Sequence, residues 1–379
     1  MKLTILQSKL KEILNLVEKI PTKNSTLPIL NNILLKTKEN FLELSTTDLE
    51  IGIRAWSLAK IEKKGELTVP VQILSSYVGS LNPLPLKLEV KKETLFLECD
   101  NTKTQIKGSP SEDFPIIPEA KEGKIISLSG RSLCQGLSQI VNICSLSTIR
   151  PEISGVYFSI EKDLIKMVAT DSFRLGEKKI FFKKPFSLSE TYSLILPQKA
   201  AFHLISIFDQ EDLFKIYLSP NLLMFESSMK EVDHSRVQFV SKLIEGEYPK
   251  YEEIIPKSFK TEAQIPRSEF LKQLKTASIF ASKINEVKIK FDPKEHQIQI
   301  LCQNPEFGEH LSTLGAKIKG KESEVSFNYK FLLDGLANIG AAEVSFNLSE
   351  DKEGEEGPAV LRPVGDESFL YVVMPIQAS

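Results

Sequence analysis

Three stretches of this chain begin alike: SKLKEILNLVEKI from Ser8, SLCQGLSQIVNIC from Ser132 and SEFLKQLKTASIF from Ser268. Leu10, Ile13, Leu14 and Val17 fall at helical spacing, and Cys134, Leu137 and Val141, then Phe270, Leu274 and Ala277, keep most of that stripe. The leading serine of each predicts an N-cap whose hydroxyl accepts a first-turn N–H. A second trio follows in the same order: PVQILSSYVGSL from Pro70, PQKAAFHLISIF from Pro197 and NYKFLLDGLANI from Asn328. Apolar residues coincide at Leu74, Ala201 and Leu332, and again at Val78, Ile205 and Leu336. Proline suits a first helical turn, and asparagine suits a cap. Between the helices the pattern has period two, as in ILLKTKENFLELSTTDLEIGIRA, which reads as hairpins with polar turns. A threefold repeat of this kind dictates the architecture. The expectation is an α+β protein of three repeated domains, each with two helices packed on antiparallel sheets. Joints interrupted by proline and charge, PIIPEAKEGKI and IIPKSFKTEAQIP, place the domains at 1–122, 123–256 and 257–379.

Charge and motif content exclude several function classes. Lys and Arg number 48 against 50 Asp and Glu, so no global basic field advertises a nucleic-acid partner, and any such contact must be local. The cysteines Cys99, Cys134, Cys144 and Cys302 form no C-x-x-C pair, which argues against a zinc site and suits a reducing, cytoplasmic setting. No apolar run is long enough for a membrane helix, and the N-terminus lacks a signal-peptide core. GAKIKGKE from Gly315 approaches a phosphate loop but ends in Glu322 where a magnesium-binding Ser or Thr belongs, and a strand pattern follows it. His203, His234, His296 and His310 show no metal spacing, and neither G-x-S-x-G nor H-E-x-x-H occurs. The chain is expected to be no enzyme and to need no cofactor or metal. SEDKEGEEGP at 349–358 reads as a solvated loop.

VATDSFRL from Val168 looks like a small active site, yet it has a twin. The first repeat carries TTDLEIG from Thr46 to Gly52 at the same place, and the third carries QNPEFG from Gln303 to Gly308. Asp48 and Asp171 therefore read as turn residues that bond their own backbone. Phe173, Arg174 and Leu175 have no counterpart in the twin, and an aromatic, a cation and a leucine together suit protein docking better than catalysis.

These motifs together bear a likeness. The chain resembles the bacterial DNA polymerase sliding clamps, the beta subunits of the replicative polymerase III. The match runs along its whole length through TLPIL from Thr26, TDLE from Thr47, DFP from Asp113, VATDSFRL from Val168, SKLIEGEYP from Ser241 and YVVMPIQ from Tyr371. The resemblance implies clamp-type domains and a head-to-tail homodimer whose six domains form a ring around double-stranded DNA, without sequence preference. Such a ring is a processivity factor that tethers the replicative polymerase. Short linear peptides of the polymerase alpha subunit, the clamp loader, and repair and translesion polymerases would bind a groove in the second domain. The alternative is a non-replicative repeat scaffold that only binds proteins.

Carried over position by position, the family's ATDGHRL falls on Ala169 to Leu175. The groove would then be lined by Thr170, Ser172, Phe173, Arg174 and Leu175, with Ser172 and Phe173 replacing the family's Gly and His. Pro249 matches a second motif, and Ile153, Ile254, Val372, Met374, Pro375 and Ile376 would complete the apolar surface. Glu253 stands where the family has Arg. DNA contacts would come from Lys23, Asn24, Arg150, Lys199 and Lys330, with Lys9, Lys11, Lys272 and Lys275 on the polar faces of the first helices. Ile106, Ile279 and Phe280 match apolar residues of the family's dimer interface.

Overall fold

A computed structural model describes all residues except 21–26, 121–122, 148, 189, 212, 351–353 and 377–379. Lys23 and Asn24 therefore lie outside the described residues. Six α-helices appear among those described, two in each repeat: α1 (Gln7–Val17), α2 (Val71–Ser80), α3 (Gly130–Ile140), α4 (Gln198–Phe208), α5 (Arg267–Ala277) and α6 (Tyr329–Ala337). The periodic stripes are the buried faces. Leu10, Ile13, Leu14 and Val17 of α1, Phe270, Leu274 and Ala277 of α5, and Leu332 and Leu336 of α6 are at most 2 % exposed. Burying one such leucine contributes about 2 kcal/mol.

The serine caps do not form. Strand Lys2–Leu6 runs directly into α1, and strand Thr261–Pro266 into α5, so Ser8 and Ser268 sit inside their helices. The orphan first-turn donors find backbone carbonyls just beyond the second helix of the same repeat. Gln7 N donates to Leu84 O at 3.0 Å, Arg131 N to Glu211 O at 3.3 Å and Arg267 N to Ala342 O at 2.9 Å. Ser132 instead donates its N–H to Ser129 Oγ at 3.5 Å. A helix end needs a partner, not a particular side chain. Asn328 does cap α6, accepting Lys330 N at 3.0 Å.

The chain divides into two compact units. The first, Met1–Cys134 with Lys199–Leu243, holds a five-stranded and an eight-stranded antiparallel sheet. The second, Gln135–Gln198 with Ile244–Ser379, holds a nine-stranded and a four-stranded sheet. The repeats number three while the units number two because sheets run on from one repeat into the next. Strand Ser235–Lys242 of the central repeat pairs with Ile51–Leu58 of the first, and strand Arg174–Phe181 of the central repeat pairs with Phe369–Val373 of the third. Backbone ladders bind each half of the central repeat to its neighbour.

Candidate functional site

The turn after strand Leu164–Thr170 is built by its own side chains. Asp171 Oδ1 accepts the N–H groups of Phe173 and Arg174, both at 3.0 Å. Thr170 Oγ1 donates to Arg174 O at 2.7 Å and accepts Ser172 N at 3.2 Å. The first repeat reproduces this set: Asp48 Oδ1 accepts Glu50 N and Ile51 N at 3.0 and 2.7 Å, and Thr47 Oγ1 donates to Ile51 O at 2.8 Å. The threonine and aspartate are architectural in both. Ser172 (φ 79°) and Leu49 (φ 78°) occupy the left-handed region at equivalent places. That region disfavours any residue with a Cβ by about 1–2 kcal/mol. Ser172→Gly is therefore expected to raise stability by about 1 kcal/mol in urea unfolding, and no gain would show that the turn carries no strain.

Arg174 is fully engaged. Its Nε donates to Asp171 Oδ2 at 3.0 Å, one Nη binds Asp334, and the guanidinium carbon lies 4.6 Å from the Phe331 ring centroid. Burial alone would lower its pKa, but Tyr371, Asp334 and Asp171 together hold it above the ordinary value. This cation braces the turn against α6 and is not free to meet a ligand charge.

Behind the turn, Ile153, Leu175 and Val372 belong to one buried cluster with Val168, Ile195, Tyr248, Tyr251, Val360 and Leu370. Leu175 and Val372 are direct cross-strand partners. They are a floor under 4 % exposed, not open surface. Tyr157 stacks on Tyr248 with ring centroids 4.9 Å apart, and the Tyr251 hydroxyl donates to buried Glu177 at 2.8 Å. Burial and the Glu177 charge push the Tyr251 phenol far above its usual range. Sequence reasoning missed these tyrosines, although Tyr248 stands inside the SKLIEGEYP motif.

The open surface comes from other groups. Phe173 is 62 % exposed at the turn tip, its ring 6.4 Å from Phe331. Met374 N donates to Phe173 O at 2.9 Å, which ties the C-terminal segment to the tip. Ser145 N donates to Ile153 O at 3.0 Å, and Leu146 and Ile149 are exposed. Ile254 is exposed at the end of the short helix Tyr251–Glu253, and half-buried Pro249 accepts Tyr251 N at 2.7 Å. Pro375 and Ile376 take another direction. They line a cleft of 640 Å³ with Lys288, Glu324, Ser326, Glu355 and Glu356, where Ile376 N donates to Ser326 O at 2.8 Å.

The basic residues differ in availability. Lys199, at the start of α4, is paired with Asp48 of the first-repeat turn. Beside it, burial and then the Lys199 charge lower the His203 pKa, so this imidazole is neutral at pH 7. Arg150 binds Glu152 at 3.0 Å. Lys330 is exposed, its ammonium 6.0 Å from the Tyr329 ring centroid, and it makes no ion pair among the described residues. Of the residues matched to a dimer contact, Ile279 is 71 % exposed, and Phe280 stacks on His310 at 5.8 Å beside strand Gly308–Gly315. Ile106 is 5 % exposed and lies opposite Leu95 on strand Thr102–Lys107. Among the described residues no cluster of His, Cys, Asp or Glu could hold a metal ion, and no helix is long and apolar enough to cross a membrane. The Gly315 motif runs through strand Lys317–Gly320 into strand Ser323–Asn328, with no helix to receive a phosphate.

Three successive family models match the chain: DNA polymerase III beta subunit N-terminal domain at residues 1–118, central domain at 128–250 and C-terminal domain at 252–377. The beta sliding clamp of Bacillus subtilis is 27 % identical over 390 residues, covering 100 % of both chains. The solved Bacillus subtilis DNA polymerase sliding clamp superposes with a TM-score of 0.92 at 26 % identity, again covering 100 % of both chains. A sliding clamp from Pseudomonas aeruginosa, solved bound to griselimycin, shares the fold with a TM-score of 0.91 at 24 % identity and full coverage of both chains. Three α+β repeats of common topology, matched in order by the three family models, define a clamp-type protein. The chain belongs to the DNA polymerase III beta subunit family and has that family's function, a non-catalytic DNA sliding clamp that confers processivity on the polymerase. This membership sets aside the reading as a non-replicative scaffold.

Proposed function

We propose that two copies close head to tail into a ring of six domains around duplex DNA, with domains meeting near residues 122 and 256. The observation that carries this is the repeat logic of the sheets. Strand Ile51–Leu58 pairs with Ser235–Lys242, and Arg174–Phe181 with Phe369–Val373. The third member of the first series is Gly308–Gly315, and the remaining member of the second is Thr102–Lys107. Both lie at sheet edges. Pairing them between copies repeats the two internal junctions and satisfies both edges, and two such heterologous contacts close the assembly. Exposed Ile279 and half-buried Phe280 flank that edge. Retention on circular but not on linear duplex tests the ring.

The surface around Phe173, Ile254 and Met374 accepts short linear peptides from the replicative polymerase alpha subunit, the clamp loader, and repair and translesion polymerases. The buried tyrosine cluster is its rigid support, and titration with a polymerase-tail peptide tests it. Duplex contact is local and sequence-independent, and the protein acts in the cytoplasm. Lys330 is the cleanest probe of duplex contact because removing it orphans no carboxylate, whereas losing Lys199 strands Asp48. Each phosphate that a lysine neutralises releases about one counterion, so Lys330→Ala should flatten the log–log salt dependence of duplex binding by ~0.9 for each phosphate it neutralised. An unchanged slope would remove Lys330 from the DNA face.

A further inference from the structure

The far end of strand Arg174–Phe181 continues into KKIFFKKPF, residues 178–186, which alternates cations with aromatics. Phe182 and Phe186 pack on each other at 4.7 Å, and both of their N–H groups donate to the backbone of turn 161–163, at Asp163 O and Lys162 O. The loop is thereby fixed beside that turn. Phe181 is left 65 % exposed, and Lys162, Lys183 and Lys184 are exposed with no ion pair among the described residues. The neighbouring carboxylates are occupied: Glu161 by Lys166 at 2.9 Å and Glu177 by Lys179 at 3.0 Å. Asp163, in the same turn, is outnumbered. Lys178 and Ile180 face α3, since a Cβ at Gly136 would meet both. Alternation along the strand puts Phe181 on the opposite face, away from the helices.

We propose that this corner binds single-stranded DNA, with phosphates on Lys162, Lys183 and Lys184 and a base stacked on Phe181. Exposed cations around an exposed aromatic are the combination that holds a single strand without reading its sequence. A rigid duplex buries its bases and cannot use the ring. A membrane surface would call for several protruding apolar groups, whereas Phe182 and Phe186 are spent on each other.

Fluorescence anisotropy of a labelled sixteen-nucleotide oligo-dT against the full-length protein at low salt tests this. Phe181→Ala should weaken binding roughly 5- to 100-fold, the range of a lost base stack. Lys183→Glu with Lys184→Glu should weaken it further and flatten the salt slope by ~0.7 for each phosphate no longer neutralised. Phe181→Ala should leave retention on circular duplex unchanged, so this result is independent of the ring. Equal affinity for wild type and both patch variants would overturn the proposal. So would tighter binding to phosphatidylglycerol–phosphatidylcholine vesicles than to the oligonucleotide, or equal binding of a blunt duplex with no loss in Phe181→Ala.

Discussion

Ile279→Asp should turn the assembled protein into a monomer. Ile279 is 71 % exposed, so the substitution leaves the fold of the single chain intact. In the proposed ring it lies at both copies of the contact, and each copy would then bury an unpaired carboxylate. Leaving a charge buried without a partner costs about 3–5 kcal/mol. At one contact that is already a loss of roughly 150- to 5,000-fold in affinity. Sedimentation at micromolar concentration should show dimers for wild type and monomers for the variant, with unchanged circular dichroism. A variant that still sediments as a dimer would place the interface elsewhere.

Removing Met374 and all that follows, or replacing Phe173 with Ala, should abolish most binding of a polymerase-tail peptide. The two groups are joined by the Met374 N–H to Phe173 carbonyl bond and present the exposed apolar surface at the turn tip. Small interfaces rest on a few anchors, and losing a principal one costs about 2 kcal/mol or more, some 30-fold. Leu175→Ala is a poorer probe. Leu175 is 3 % exposed in the core cluster, so truncation would cost about 2–5 kcal/mol of stability and confound the reading. A fluorescence titration in which truncated and Phe173→Ala chains bind as tightly as wild type would remove this surface from peptide recognition.

What could be read from the chain alone was whatever recurs locally. The apolar stripes of α1, α5 and α6 and the paired Thr-Asp turns depend on residues a few positions apart, and they fold as their spacing requires. What escaped depends on distant partners. Arg174 looked like a cation offered to a ligand, but its partner Asp334 lies in another repeat. The serine caps failed because a carbonyl beyond the next helix already met each donor. The burial of Ile106 was not legible because an apolar residue on an edge strand reads alike whether it turns inward or toward another molecule. The tyrosine floor was hidden because Tyr157, Tyr248 and Tyr251 become neighbours only once separate segments meet.

Retention on DNA tests the ring most directly. The protein would be assembled on nicked circular duplex by a clamp loader, washed in high salt and passed over a sizing column, with half the sample linearised first. High salt screens phosphate contacts, so only topology can hold the protein. A closed ring should elute with circular DNA and be lost from linear DNA. Equal loss from both forms, or equal retention on both, would contradict the ring.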